Sequence, residues 1–262
     1  MSTNKILVET RGHVLLIGFN RPEKRNALDL DMYYDIARAY GELSRNKSLR
    51  CGLLYAVGDH FSAGLDLPQW APVFASGKWV ELSDDMIDPF GLDEDRRCKK
   101  PVVMALQGIC YTIAFEMLLA ADVRVAARDV RLAQLEVKRA IFPVGGATVR
   151  MFQEIGWGNA MRYILTGDEM SGPEAYRLGL VQELVEPGEQ FDKALEIAEK
   201  ISKAAPLGVQ AALASARKAR VYGPKAAIAT LFEEIKPLMT SKDSQEGMQS
   251  FLERREPNFT GD

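Results

Sequence analysis

The chain has 262 residues, of which 47% are hydrophobic and 26% are charged. This length accommodates one sizeable α/β domain, or a core domain with a smaller appendage, and the composition excludes a disordered or fibrous chain. The net charge of -3, from 33 basic and 36 acidic residues, supplies no overall field for holding a nucleic-acid backbone. We therefore expect no nucleic-acid partner.

Few cysteines and histidines are available for metal or redox chemistry. Cys51, Cys98 and Cys110 are odd in number and lack the close spacing of a metal or redox motif, so we interpret them as reduced thiols. With only His13 and His60, a zinc site built by the protein alone is not expected. The first ten residues lack a secretory pattern, and no apolar run approaches the length of a membrane span. We expect a cytoplasmic protein with no membrane contact.

The chain opens with strand signals and then a helix signal. Short β-rich runs at 5–9 and 13–19 flank Arg11-Gly12 and predict a hairpin. From about 30 to 46, apolar residues recur at helical spacing and predict an amphipathic helix.

Three short apolar runs follow, separated by helical stretches. They lie at 53–57, 102–106 and 123–127 and predict strands buried on both faces. Strands joined through helices imply a mainly parallel sheet, so the fold class is α/β. Beyond residue 187 the apolar residues trace helical faces and no further strand signal occurs, which predicts helices only.

Residues 68–99 mix aromatic and apolar residues with many acids. Trp70 and Trp79 are followed by six Asp and Glu residues between positions 84 and 95, a pattern that does not suit a compact core. We interpret the segment as a mobile excursion with short helical pieces, placed where a lid or pocket wall could be.

Two turns that follow predicted strands have backbone N–H groups that could approach a ligand. At 62–64, Ser-Ala-Gly allows a sharp turn whose N–H groups approach a ligand. After the strand at 102–106, Thr112 is a plausible N-cap, and the helix behind it would direct the unpaired N–H of Ile113 outward. The N–H groups of Ala63 and Ile113 could then converge on one oxygen, as an enolate or a tetrahedral oxyanion needs. An ordinary strand-to-helix turn is the alternative for the first stretch.

In combination, these segments resemble the crotonase family, also called the enoyl-CoA hydratase/isomerase superfamily. The similarity covers nearly the whole chain in order. The matching pieces are Asn20-Arg21-Pro22 with Arg25-Asn26-Ala27-Leu28, FSAGLDL at 61–67, the block 108–122, Leu132–Glu136 with Pro143 and Gly145-Gly146, the stretch 165–185, and EGMQSFLERREPNF at 246–259.

The resemblance implies a fold, an assembly and a substrate class. The fold is a crotonase-like spiral of repeated β-β-α units over 1–187, followed by a C-terminal helical region at 188–262 that serves oligomerisation or forms a lid. The assembly is a homotrimer or a dimer of trimers. The substrate is an acyl-CoA thioester, and no separate cofactor is implied because CoA is part of the substrate.

The resemblance also implies the reacting groups. The backbone N–H groups of Ala63 and Ile113 hold the thioester oxygen, and Glu116 and Glu136 act on water. One helical turn separates Thr112 from Glu116, so the donor and the carboxylate can reach one substrate. Solvated surface acids are the alternative for either glutamate. The chain departs from the family at 112–114, where Thr-Ile-Ala replaces three glycines, and we expect these side chains to narrow or reshape the acyl pocket.

By the same resemblance, several residues are candidate CoA contacts. They are Arg25, Ala27, Ala63, Leu65, Asp66, Leu67, Phe251 and Arg255. Asp66 lies near the adenine end, with backbone contacts from Leu65 and Leu67. Arg25 could meet phosphates, and Arg254 or Arg255 could reach them from a neighbouring subunit, although each of these arginines is more often only a solvated charge. Phe251 shares an apolar helix side with Met248 and Leu252, which first suggests core packing.

The predicted function is an enoyl-CoA hydratase that adds water across the 2,3 double bond through an enolate held by the oxyanion hole. A Δ3,Δ2-enoyl-CoA isomerase using Glu136 alone is the nearest alternative, because isomerisation needs one carboxylate. A dehalogenase of this family needs a histidine base, and residues 61–262 contain no histidine. A CoA-binding member with little catalysis would have no need of two carboxylates, and the absence of a basic surplus argues against an RNA-binding member.

Overall fold

The computed structural model describes residues 4–262. The strands are β1 Ile6–Arg11, β2 Val14–Phe19, β3 Cys51–Ala56, β4 Val102–Leu106, β5 Ile109–Tyr111, β6 Val123–Ala127, β7 Arg131–Ala133, β8 Met170–Ser171 and β9 Glu183–Val185. The helices are α1 Leu30–Arg45, α2 Leu67–Ser76, α3 Ile113–Ala120, α4 Ala147–Ile155, α5 Trp157–Thr166, α6 Gly172–Arg177, α7 Gln190–Lys203, α8 Pro206–Tyr222, α9 Pro224–Ile228, α10 Leu231–Ile235 and α11 Lys242–Glu253. Short 3-10 turns complete the connections.

The strands form two sheets. The larger has the order β1-β2-β3-β4-β6-β9, and the smaller has the order β5-β7-β8. In the larger sheet only the β1–β2 hairpin is antiparallel, and every other neighbouring pair is parallel. The predicted hairpin, the mainly parallel sheet and the α/β class are confirmed.

Successive turns of the chain place one strand in each sheet. One turn runs β4-β5-α3, and the next begins β6-β7, with β4 parallel to β6 and β5 parallel to β7. The segment that follows β3 joins the smaller sheet through a parallel bridge between Ser62 and Cys110. The chain therefore winds as a spiral of β-β-α units, as the family resemblance implies.

Local signals explain the elements that the sequence predicted well. Helix α1 begins after Asp29, whose side chain accepts a hydrogen bond from the N–H of Met32 at 2.9 Å. The predicted strand at 53–57 begins two residues earlier, at Cys51, and the strands at 102–106 and 123–127 have the predicted bounds.

Both faces of the larger sheet are covered, because successive residues of a strand point to opposite faces. In β2, Leu15 and Ile17 belong to the main core, while Val14 and Leu16 pack with Ala194 of α7. Helices alone follow residue 187 after β9, as predicted. Helix α7 nevertheless packs on the sheet, so the boundary between 187 and 188 stays a prediction about domain organisation. No helix in the described residues 4–262 is long and apolar enough to cross a membrane.

Part of the segment 68–99 belongs to the core. Trp70 is fully buried, and its indole N–H donates to the carbonyl of Leu28 at 2.9 Å. Trp79 donates to the hydroxyl of Tyr33 at 2.9 Å, and the ring of the buried Phe90 stacks on Tyr33. The prediction of an excursion away from the core is therefore wrong for Trp70 and Phe90. Trp70 bonds to Leu28 just before α1, and Phe90 packs on Tyr33 of α1.

Candidate active site

A cavity of about 230 Å³ lies between the turn at 63–67, the start of α3 and the loop at 135–144. Its polar lining side chains are Thr112, Glu116, Glu136 and Arg139. The remaining lining side chains are apolar, including Phe74 of α2. A mostly apolar cavity with a few converging polar groups is the usual form of a small-molecule site.

The spiral brings two main-chain turns together at one wall of this cavity. The N–H of Ser62 donates to the carbonyl of Ile109 at 3.0 Å, and the N–H of Tyr111 donates to the carbonyl of Ser62 at 3.1 Å. At Gly64, with φ +104°, an added Cβ would collide with the Oγ1 of Thr112. The two turns therefore touch, and only glycine fits at the point of contact.

The free N–H groups of these turns are those of Leu65 and Ile113. The N–H of Ala63 donates to the carbonyl of Arg25 at 2.9 Å, so the prediction that Ala63 supplies an oxyanion donor is wrong. Leu65 and Ile113 both line the cavity, and neither N–H has a hydrogen-bond acceptor within the described part of the chain. The N–H of Ile113 is thus free, and its role as an oxyanion donor stays a prediction; the second free N–H is that of Leu65 instead of Ala63.

Pairing with Leu28 explains which N–H is left free. The N–H of Leu28 donates to the carbonyl of Gly64, and the carbonyl of Leu28 accepts from the N–H of Asp66. In a parallel ladder, a strand that bonds to both neighbours of a residue leaves that residue's own N–H pointing away. The N–H of Leu65 therefore faces the cavity.

Thr112 precedes α3 in an unusual backbone conformation, with φ 52° and ψ -121°. Thr112 occupies the N-cap position of α3, as predicted, and its carbonyl accepts the N–H of Glu116, but its hydroxyl makes no capping hydrogen bond. Glycine adopts this conformation readily, whereas a residue with a Cβ pays about 1–3 kcal/mol to hold it.

Glu116 of α3 is only 1% exposed, so the alternative of a solvated surface acid is wrong for it. Its Oε1 accepts the N–H of Ala147 at 2.9 Å, and the backbone of Gly145 also donates to the carboxylate. A Cβ at Gly145 would lie 2.7 Å from its Oε2, so the glycine permits this close approach. Burial raises the pKa of Glu116 to about 7.

Glu136 begins a 3-10 turn and is 8% exposed. The amide nitrogen of Gln134, in the orientation that satisfies both ends of the amide, donates to both carboxylate oxygens at 3.0 Å. Burial raises the pKa of Glu136 to about 7, and its negative charge further raises the pKa of Glu116. The two glutamates line one cavity, and burial holds the pKa of each near 7.

Comparison with known proteins shows the family of the chain. The profile described as enoyl-CoA hydratase/isomerase covers residues 9–262. The chain belongs to the enoyl-CoA hydratase/isomerase family. An enoyl-CoA hydratase of Mycobacterium tuberculosis is 34% identical over 97% of this chain and 95% of its own length. A mevalonyl-coenzyme A hydratase of Aspergillus fumigatus is 31% identical over 94% and 91%. The crystal structure of a probable enoyl-CoA hydratase/isomerase from Mycobacterium abscessus superposes with a TM-score of 0.94 at 43% identity, covering 98% and 99%.

The candidate CoA contacts in the N-terminal part of the chain lie in or near the turn at 63–67. Arg25 is exposed, and Ala27 is half-buried with its carbonyl bound to the guanidinium of Arg21 at 3.0 Å. The carboxylate of Asp66 pairs with the same guanidinium at 2.8 Å. Leu67 is half-exposed and lines the cavity. These positions form a rim beside Leu65, and their contact with CoA stays a prediction.

The two C-terminal candidates lie elsewhere. Phe251 is 82% exposed on α11, and Met248 and Leu252 are also exposed, so the core-packing interpretation is wrong. Arg255 pairs with Glu246 at 2.6 Å and also with Glu253. Neither Phe251 nor Arg255 lines the cavity of its own chain. Within residues 4–262 no group of three or more His, Cys, Asp and Glu side chains could hold a metal ion.

The conformation of Thr112 leads to a stability prediction. We expect Thr112→Gly to raise the free energy of unfolding by about 1 kcal/mol, because relief of the backbone strain exceeds the entropy that glycine loses on folding. Urea unfolding measures the change. Thr112→Ala is the control, since it keeps the Cβ and hence the strain. An equal gain in both variants, or a loss in Thr112→Gly, would contradict the account.

Proposed function

We propose that this protein is an enoyl-CoA hydratase that adds water across the 2,3 double bond of an enoyl-CoA. The observation that carries the proposal is the presence, in one cavity, of two buried glutamates with raised pKa and two unpaired backbone N–H groups. The N–H groups and the glutamates serve different parts of the reaction. Membership of the enoyl-CoA hydratase/isomerase family supports their use in one site.

The backbone groups stabilise the charge that develops on the substrate. The N–H groups of Leu65 and Ile113 donate to the thioester oxygen, which becomes an enolate oxygen when water adds at C3. Ile113 begins α3, so the positive end of the helix dipole adds to the stabilisation. Losing one donor of an oxyanion hole typically costs about 3–4 kcal/mol of transition-state stabilisation.

The glutamates hold water and move protons. One carboxylate, ionised, accepts a proton from the water as its oxygen bonds to C3. The other, protonated, gives its proton to C2, so that the elements of water are added and the pair keeps one proton. Burial of both Glu116 and Glu136 makes a singly protonated pair available at neutral pH.

The remaining parts of the proposal concern the substrate and the setting. The ligand is an acyl-CoA thioester whose CoA rests on the rim formed by Arg25, Ala27, Leu65, Asp66 and Leu67, and the chemistry uses no separate cofactor and no metal. The protein works in the cytoplasm and belongs to fatty acid metabolism in the broad sense.

Replacing either glutamate tests the hydratase. We expect Glu116→Gln and Glu136→Gln each to lower the rate of 2-enoyl-CoA hydration by about 10²-fold or more, because hydration needs both a base and an acid. The measurement is the loss of the conjugated thioester with identification of the 3-hydroxyacyl product. Lys138→Gln is a control, since this exposed side chain does not line the cavity.

The same variants separate the hydratase from a Δ3,Δ2-enoyl-CoA isomerase. Isomerisation moves one proton along the acyl chain, so Glu136 alone suffices and Glu116→Gln would be mild. If the parent enzyme shifts the double bond of a 3-enoyl-CoA but yields no 3-hydroxyacyl product, the hydratase proposal is refuted. Binding of the thioesters with neither reaction would instead identify a CoA-binding protein.

The raised pKa values predict the pH dependence. At low pH both glutamates are protonated and no base is present, whereas at high pH both are ionised and no acid is present. Since burial raises each pKa to about 7, we expect kcat to peak near neutral pH and to fall on both sides. A rate that keeps rising above roughly pH 9, or that peaks near the ordinary glutamate pKa, would contradict the shared-proton pair.

Exposed apolar side chains on the C-terminal helices support assembly. Phe232 is 88% exposed, and Ile228, Met239, Phe251 and Leu252 are also exposed. Large contiguous apolar surfaces are uncommon on monomers and are covered in closed symmetric oligomers. We propose a homotrimer or a dimer of trimers that covers these helices.

Light scattering at micromolar concentration checks the assembly. We expect a mass close to three or six times the chain mass of 29.1 kDa. Phe232→Asp should lower the mass, because it places a charge on the apolar surface, whereas Lys225→Asp on the neighbouring helix α9 serves as a polar control. A parent protein of single-chain mass would refute the proposal.

A further inference from the structure

One cation of the cavity has no part in the chemistry described above. Arg139 ends the 3-10 turn that Glu136 begins, and both residues line the cavity. Side chains three residues apart eclipse one another in a 3-10 helix, so Arg139 lies on the same side of the turn as Glu136, one turn further along.

The guanidinium of Arg139 is left without an acidic partner. Within residues 4–262 it forms no ion pair, and it donates only to the carbonyl of Lys138, at 3.1 Å. The nearest acid along its own turn, Glu136, is held by the amide of Gln134 instead. A charge-assisted hydrogen bond from this arginine is therefore available to a ligand.

A second chamber of about 460 Å³ continues the cavity. It shares Phe74, Ile141, Phe142 and Val144 with the first chamber and extends to Trp79. Leu65, Ile113 and both glutamates do not line it, so it lies beyond the reacting groups. Its walls suit a hydrocarbon or aromatic portion of an acyl chain.

The second chamber also holds an unpaired cation. Lys78 follows α2 and is the one charged residue that lines the second chamber. In the part of the chain that the structure describes, Lys78 makes no ion pair, and no acidic side chain lines the chamber. The path that leads away from the glutamates is thus apolar along its walls and positive at Arg139 and Lys78.

We propose that the acyl chain of the substrate ends in a carboxylate, which Arg139 and Lys78 recognise beyond an apolar spacer. The inference rests on the proposed hydratase: with the thioester at Leu65 and Ile113 and CoA on the rim at 25–67, the second chamber is the space that continues the cavity for the acyl end. A chain ending in a methyl group leaves both cations unpaired, whereas a terminal carboxylate accepts hydrogen bonds from them.

A matched pair of substrates tests the proposal. The pair is 2-octenoyl-CoA and the thioester of equal carbon number and equal double-bond position whose chain ends in a carboxylate. We expect the parent enzyme to have the higher kcat/KM for the carboxylate. Arg139→Gln should lower that value about tenfold or more while changing the value for 2-octenoyl-CoA by less than about twofold. Lys78→Gln should act in the same direction.

A neighbouring cation supplies the control. Lys138→Gln removes the same charge from the same 3-10 turn, but Lys138 lines neither chamber, so it should affect neither substrate. Arg139→Lys keeps a cation and should retain part of the preference. If Lys138→Gln reproduces the loss, general surface charge explains the preference and the proposal falls.

The phosphates of CoA are the other source of an anion. If Arg139 binds them, Arg139→Gln raises KM equally for both substrates, and the loss disappears with 3′-dephospho-CoA thioesters. That result, or an unchanged kcat/KM for both substrates in Arg139→Gln and Lys78→Gln, would overturn the proposal.

Binding separates a failure of this inference from a failure of the hydratase. Calorimetry compares the affinity of octanoyl-CoA with that of its saturated counterpart ending in a carboxylate, and it needs no turnover. Tighter binding of the carboxylate, lost in Arg139→Gln, supports the recognition even if no thioester is hydrated. Equal affinities refute the recognition even if hydration is fast.

Discussion

The removal of two carboxylates from water, side by side in one apolar cavity, is the constraint to which the rest of the site responds. An isolated buried carboxylate is costly unless it is hydrogen-bonded or protonated. The backbone at Gly145 and Ala147 donates to Glu116, and the amide of Gln134 donates to Glu136. These donors are too few to restore an ordinary pKa, so each carboxyl remains able to take up and release a proton near pH 7. The cost of burial is thus the source of the acid and base functions.

The spiral supplies the second half of the site through its hydrogen-bond register. Because each turn adds a strand beside the previous one, the chain after β3 lies against the chain after β4. Pairing of Leu28 with both neighbours of Leu65 turns that residue's N–H into the cavity. The start of α3 provides the partner at Ile113 without any capping group. The donors are therefore positioned by long-range backbone pairing and need no particular side chain.

This dependence explains which predictions held. Buried strands such as β4 and β6 follow from apolar runs alone, and the family motifs lead to Glu116 and Glu136, which the structure places in one cavity. The assignment of Ala63 failed because the local pattern at 62–64 does not show which N–H is used by Arg25. The core-packing interpretation of Phe251 failed for a related reason, since an apolar helix face does not indicate what covers it. Local sequence patterns predict helices and strands. Which backbone N–H groups remain unpaired is decided by pairing between distant segments.

The departure from the family glycines at 112–114 is coupled to the shape of the cavity. An added Cβ at Gly145 would lie 2.7 Å from both the Cδ1 of Ile113 and the Oε2 of Glu116, so the volume of Ile113 is accommodated by the missing side chain at 145. Ile113 is buried and lines the same wall as Glu116, which closes the cavity on that side. The cavity continues at Ile141 and Phe142, which line both chambers, with Arg139 lining the first chamber and Lys78 the second. In the proposed recognition, the bulk at 113 and the two cations, Arg139 of the first chamber and Lys78 of the second, act on one acyl chain.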